Sequence, residues 1–167
     1  MFEKVFNEYQ NVYLGILDNF YPSVGSTGFQ ERNLTVNFSK AYEKVINGNA
    51  ISWFELQFGE KNNLHLDCVI IDKINKRIFL IEAKRYSAPK RKKASVTADI
   101  ERIEGFIKDS FLQDERFQNY QDYQLFGVIL GDVWFKESKS KEALHQSYLD
   151  KNYFPKRKRL KNITLSI

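Results

Sequence analysis

Asp67, Glu82 and Lys84 are the residues of this chain whose types and spacing could do chemistry together. His65, Asp67, Val69 and Ile71 alternate along one face of a strand predicted over residues 64–72, and Ile78, Leu80, Glu82 and Lys84 alternate along one face of the next. With 73–76 as a hairpin loop, Asp72 pairs with Arg77. Counting back sets Val69 opposite Leu80, Asp67 opposite Glu82 and His65 opposite Lys84. Directly opposed side chains have Cβ atoms about 5 Å apart, so two acids and an amine meet at one end of an otherwise apolar hairpin. Two close carboxylates repel, and burial raises the pKa of each. A shared proton, the nearby ammonium or a divalent cation would relieve the pair.

The elements around this hairpin follow from periodicity. Residues 3–20 carry Val5, Phe6, Tyr9, Val12, Tyr13, Ile16 and Phe20 at helical spacing, and Pro22 ends that helix. After a Gly- and Ser-rich loop, Thr27 and Gln30 form a capping box for a second helix that runs to about Asn47, with Gly48 as its C′ residue. On a wheel of about 100° per residue, Glu31 lies about 60° from the Leu34, Phe38, Ala41, Val45 stripe and Glu43 lies about 180° from it. Glu31 is therefore expected to look into the sheet and Glu43 is not. A first-turn carboxylate such as Glu31 would also complement the positive end of its helix, by about 0.5 kcal/mol.

Residues 50–58 form a strand with Ala50, Ser52, Phe54, Leu56 and Phe58 on one face, paired with 64–72 through a turn at 59–63. Glu55 and Gln57, on the other face, are secondary site candidates. Beyond Lys84 a basic loop containing Pro89 leads to a helix over 96–112, with Val96, Ile100, Ile103, Ile107 and Phe111 as its buried stripe and Asp99 and Arg102 off it. Residues 123–135 read as a central strand, apolar on both faces. A short helix over 141–151 capped by Ser140, and an edge strand over 162–167, complete the chain.

An Asp near the start of one strand, followed by Ile-Glu-Ala-Lys at the end of the next, resembles the PD-(D/E)xK nuclease superfamily, whose members include restriction endonucleases and repair nucleases. Asp67 and the triplet Glu82-Ala83-Lys84 carry the resemblance; Leu66 stands where the superfamily often has proline. The resemblance implies an α/β (α+β) domain with a restriction-endonuclease-like αβββαβ core, a central mixed sheet flanked by helices and an extra N-terminal helix, all within one domain of residues 1–167. It implies a divalent-metal-dependent deoxyribonuclease, with Mg²⁺ or Mn²⁺ held by Asp67, Glu82, the Ala83 carbonyl and Glu31. Lys84 would orient or deprotonate a water. Glu31 is carried over because the helix before the first core strand often supplies a further acid. His65 would contact a phosphate or relay a proton. The contrasting reading is a catalytically silent nucleic-acid-binding or scaffold domain that keeps the fold.

Charge and composition fit either reading. The net charge is +5, and the basic residues cluster at Lys90-Arg91-Lys92-Lys93 and at Lys156-Arg157-Lys158-Arg159 with Lys161, which suits DNA as a partner. A homodimer or a protein partner would supply target choice in so short a chain. One cysteine and two histidines exclude zinc fingers. The single Cys68, together with the absence of a signal peptide or a membrane-length apolar run, points to the cytoplasm. No Ser or Cys hydrolase signature occurs.

Overall fold

The computed structural model describes residues 1–20, 30–58, 64–86, 89–111 and 113–133. Over these the element order is α1 (Phe2–Phe20), α2 (Glu31–Val45), β1 (Ala50–Phe58), β2 (Leu64–Asp72), β3 (Arg77–Tyr86), α3 (Pro89–Gly105) and β4 (Gln124–Val133). A π-helical turn at Phe106–Ser110 and a 3₁₀ turn at Glu115–Tyr120 lie between α3 and β4. The strands form one mixed sheet in the order β1-β2-β3-β4, antiparallel except for the parallel pair β3 and β4. This is an α+β arrangement with helices on both faces. No helix among the described residues is long and apolar enough to cross a membrane.

The alternation within β2 and β3 sorts side chains to two cores. Cys68, Ile70, Phe79, Ile81 and Ala83 pack with Val5 of α1 and with Leu34, Phe38 and Tyr42 of α2. Val69, Ile71, Ile78 and Leu80 pack with Val96, Ile103 and Phe106 on the other face. The expected hairpin register is present, with Asp72 paired to Arg77 and Val69 to Leu80. Its turn is tied down by the Asp72 carboxylate, which accepts from the Asn75 backbone N–H at 3.0 Å, the Asn75 side chain at 2.8 Å and the Tyr42 hydroxyl at 2.6 Å.

Several sequence expectations are corrected here. Residues 50–58 do not keep one face: Ala50 and Phe54 pack toward α2, whereas Leu56 and Phe58 join the α3-side core. The switch falls at Glu55, whose φ is +54°. Its partner strand switches at the same level, since Leu66 joins the α3-side core although alternation from Val69 assigns it to the other. The β1-β2 ribbon therefore rolls over as a unit, with the register unchanged on either side.

Helix α3 starts at Pro89, so Lys90 to Lys93 occupy a first helical turn and not a loop. Proline suits that position because it has no N–H to leave unsatisfied. Helix α2 starts later than expected, with Gln30 as its N-cap. It ends in a Schellman arrangement: Asn47 is the C′ residue at φ +56°, and the Gly48 N–H bonds the Glu43 carbonyl at 2.7 Å. Strand β4 ends the order of described strands and is not flanked on both sides. The expected capping residue Thr27, the turn at 59–63, the helix over 141–151 and the strand over 162–167 lie outside the described residues.

Candidate functional site

The site lies in a fork. Strand β2 pairs with β3 only as far as Cys68 opposite Ile81, then stays with β1, while β3 continues alongside β4 to Tyr86 opposite Val133. Asp67 and Glu82 are the next residues beyond the last β2-β3 pair, one on each prong. Across the gap Asp67 Oδ2 accepts the Ala83 backbone N–H at 2.7 Å. His65 opposite Lys84 does not occur, because β2 has already left; His65 is exposed and its Cα partner is Gln57 on β1.

The charge partners come from α3. Arg102 Nη1 lies 2.5 Å from Glu82 Oε1, and its Nη2 lies 2.6 Å from Asp99 Oδ1. Nη1 also donates to the His65 carbonyl at 3.4 Å, so one guanidinium spans both prongs. The second Asp99 oxygen faces Lys84 Nζ at 3.0 Å. Asp99 and Glu82 are each 2% exposed. Sequence reasoning put Asp99 and Arg102 off the buried stripe, and the wheel contained the contrary signal. Asp99 stands three residues after Val96 and four before Ile103, both buried, so it shares their face.

The cluster holds more acid than base. Asp67, Glu82 and Asp99 stand against Lys84 and Arg102, and Glu82 responds. Burial first, then the Asp67 charge, pushes its carboxyl up to about 8, against the pull of Arg102 and Lys84. Burial alone would lower Lys84, but its hydrogen bond and charge pairing with Asp99, with Glu82 and Glu31 adding, hold the ammonium above its ordinary value. Lys84 thus carries its proton at neutral pH.

Glu31 reaches the same strand end from the opposite face, its Oε1 accepting the Arg85 backbone N–H at 2.7 Å. The expectation that it looks toward the sheet holds. The companion expectation for Glu43 does not, since Glu43 Oε1 accepts from Ser52 of β1 at 2.8 Å and from Ser39 at 3.4 Å. Helix α2 packs against both α1 and the sheet, so its buried arc is wider than one stripe and takes in Ser39 at its margin.

Glu55 and Gln57 are exposed on β1. Glu55 stands across from Asp67 in register, at the one step between Phe54–Cys68 and Leu56–Leu66. The Gln57 carbonyl accepts from Arg116. Lys90, Arg91, Lys92 and Lys93 follow β3 on the α3 start, and Lys156, Arg157, Lys158 and Arg159 lie outside the described residues. Cys68 faces the α2 side, and its thiol is pushed up to about 12 by burial, with the Asp67 and Glu43 charges adding, which disqualifies it as a nucleophile.

Among the described residues no three His, Cys, Asp or Glu side chains form a group that could hold a metal ion. A cation here would rest on two carboxylates and backbone. The donor set fits a hard divalent ion in kind, since Asp67 commits Oδ2 to Ala83 and Glu82 commits Oε1 to Arg102, leaving the second oxygen of each without a hydrogen-bond partner among the described residues. Comparisons with protein-family models, with curated proteins and with solved structures gave no match to this chain.

Proposed function

We propose that the chain is a divalent-metal-dependent nuclease that hydrolyses nucleic-acid phosphodiester bonds, DNA in particular, on a restriction-endonuclease-like αβββαβ core formed by α2, β1, β2, β3, α3 and β4. The observation that carries this reading is the placement of Asp67 and Glu82 on opposite prongs of one strand fork, with Lys84 two residues beyond Glu82 and Glu31 arriving at the same strand end. A structural ion-pair network needs no second acid whose charge drives Glu82 up.

Mg²⁺ or Mn²⁺ bound by Asp67 and Glu82, with the Ala83 carbonyl in support, would supply a water acidic enough to ionise near neutral pH. The chain's own groups do the rest. Lys84, held by Asp99, places a positive charge beside the phosphate oxygens as they gain charge. Arg102 holds the Glu82 carboxylate in a fixed direction. The basic first turn of α3 follows the Lys84 strand and lies where a phosphate backbone would enter. Incubating the full chain with linear, circular and single-stranded DNA in Mg²⁺, Mn²⁺ and EDTA tests the reading; no metal-dependent product from any substrate overturns it.

One observation favours the other reading. Arg102 and Lys84 already pair with Glu82 and Asp99, as a stabilised but catalytically silent binding domain would have them. Asp67→Ala separates the two, because a silent domain binds DNA equally well after it and cleaves in neither form.

A further inference from the structure

Trp53 is a large aromatic residue left in solvent beside the candidate site, at 45% exposure. Its Cα partner across the ladder is Val69, which belongs to the α3-side core, and directly opposed residues share a face. Trp53 therefore stands on the α3-side face of the sheet, one strand over and two residues along from Asp67. Pleat geometry puts the two Cα atoms about 8 Å apart.

The ring is fixed from one side. Arg116 of the 3₁₀ turn sits over it, Cζ 5.5 Å from the ring centroid. Arg116 is in turn held by Asp114, through Nε at 2.8 Å and Nη2 at 2.6 Å, and by the Gln57 carbonyl at 2.9 Å. With one face under a clamped guanidinium, the exposure of the ring falls on its other face and edge. A ligand that stacks there does not have to order the ring first.

We propose that Trp53, clamped by Arg116, is a stacking platform for an unpaired base next to the cleavage site, so that the preferred substrate is single-stranded nucleic acid or a duplex with an unpaired nucleotide there. The proposal rests on the nuclease reading for the words "next to the cleavage site", and the binding it describes stands apart from cleavage. The surroundings favour a base over a phosphate, since Arg116 is already paired with Asp114 while Glu55 and Glu115 are exposed nearby. They also disfavour a second copy of the chain. The apolar exposure on this face of β1 is confined to Trp53 and Ile51, and the positive φ at Glu55 turns the edge away from a continuous added strand.

The test is fluorescence anisotropy in EDTA with labelled oligothymidylate and with a blunt duplex of the same length, for the wild-type chain, Trp53→Ala and Trp53→Phe. Trp53→Ala should weaken oligothymidylate binding about tenfold, and Trp53→Phe should retain most of the affinity. Duplex affinity, sedimentation and the slope of log K against log salt should not change, because a stacked base releases no counterions. Unchanged oligothymidylate affinity in Trp53→Ala, an equal loss on duplex, or a dimer that depends on Trp53 overturns the proposal. Mg²⁺-dependent cleavage of the same substrates by the wild-type chain is scored separately. Cleavage without Trp53-dependent binding removes the platform alone, and Trp53-dependent binding without cleavage removes the nuclease reading alone.

Discussion

Arg102 Nη1 and Glu82 Oε1 are 2.5 Å apart, so the acid of β3 takes its ion-pair partner from α3, while the lysine two residues along its own strand pairs with Asp99. Glu82 is nearly fully buried, and its carboxyl, already pushed up to about 8, would be held protonated to still higher pH, or draw in water, once this guanidinium is gone.

Arg102→Ala should therefore destabilise the fold by about 2 kcal/mol, below the 3–5 kcal/mol typical of breaking a fully buried pair because Arg102 retains solvent contact. Adding Glu82→Gln should recover part of the loss. Urea denaturation of the single and double variants measures both, and equal midpoints for wild type and Arg102→Ala would show that the contact contributes nothing.

Asp67 and Lys84 separate binding from rate. Mg²⁺ or Mn²⁺ should raise the melting temperature of the wild-type chain by mass action, and Asp67→Ala should abolish both that rise and cleavage. Lys84→Ala should keep the circular-dichroism spectrum while cleavage falls at least a hundredfold, the scale of losing one charge-stabilising donor. A metal-induced rise of equal size in Asp67→Ala would mean that the cation binds elsewhere.

The Tyr42–Asp72 hydrogen bond should appear in the acid limb of stability. Burial would raise Asp72, but the bonds from Tyr42 and from Asn75 outweigh it and hold the carboxyl below its ordinary value. The stabilisation is then complete above the unfolded carboxyl value of about 3.9 and is lost as pH falls through the lower folded value. Tyr42→Phe should cost about 1 kcal/mol near neutrality. The gap to wild type should close once pH has fallen through that lowered folded value. Thermal melts across pH measure it, and a gap that persists in acid would assign the loss to packing.

Much of this arrangement was legible in the residues. The hairpin register followed from loop length and apolar alternation, and it held from Asp72–Arg77 to Cys68–Ile81, one step short of Asp67 and Glu82. His65 was misplaced because the same arithmetic assumes that strands stay paired, and nothing in residues 64–67 announces where β2 parts from β3. Glu55 gave no warning either, since a glutamate is rarely found at positive φ. Asp99 was legible and overlooked: its spacing from Val96 and Ile103 put it inside, and its charge argued it out.

Glu55→Gly tests the price of that turn in the ribbon. Glycine adopts φ +54° without the Cβ contact that costs about 1–2 kcal/mol, at some loss of chain entropy. A net gain of about 0.5 kcal/mol is expected, with none for Glu55→Ala. Urea midpoints decide it, and a loss in Glu55→Gly would show that the carboxylate itself holds the conformation.

The segment Lys90 to Lys93 should govern salt dependence. Changing all four to Ala should lower the slope of log K against log salt on duplex DNA by up to about 3, at about 0.9 per phosphate contact, and weaken all sequences alike. Identical slopes would assign the segment to solubility and direct attention to Lys156 through Lys161.

The fork also sets an order of events in folding. The β1-β2-β3 meander joins neighbours along the chain, whereas β3 meets β4 only after the whole crossover from Tyr86 to Gln124 has closed. Pairings of long sequence separation form slowly because their loops must close first. The segment from Glu82 to Tyr86 pairs with β4 alone, so the strand end that bears Glu82 and Lys84 is the last part of the sheet to acquire its neighbour. A refolding chain would show native hairpin protection in hydrogen exchange before residues 82–86 gained theirs.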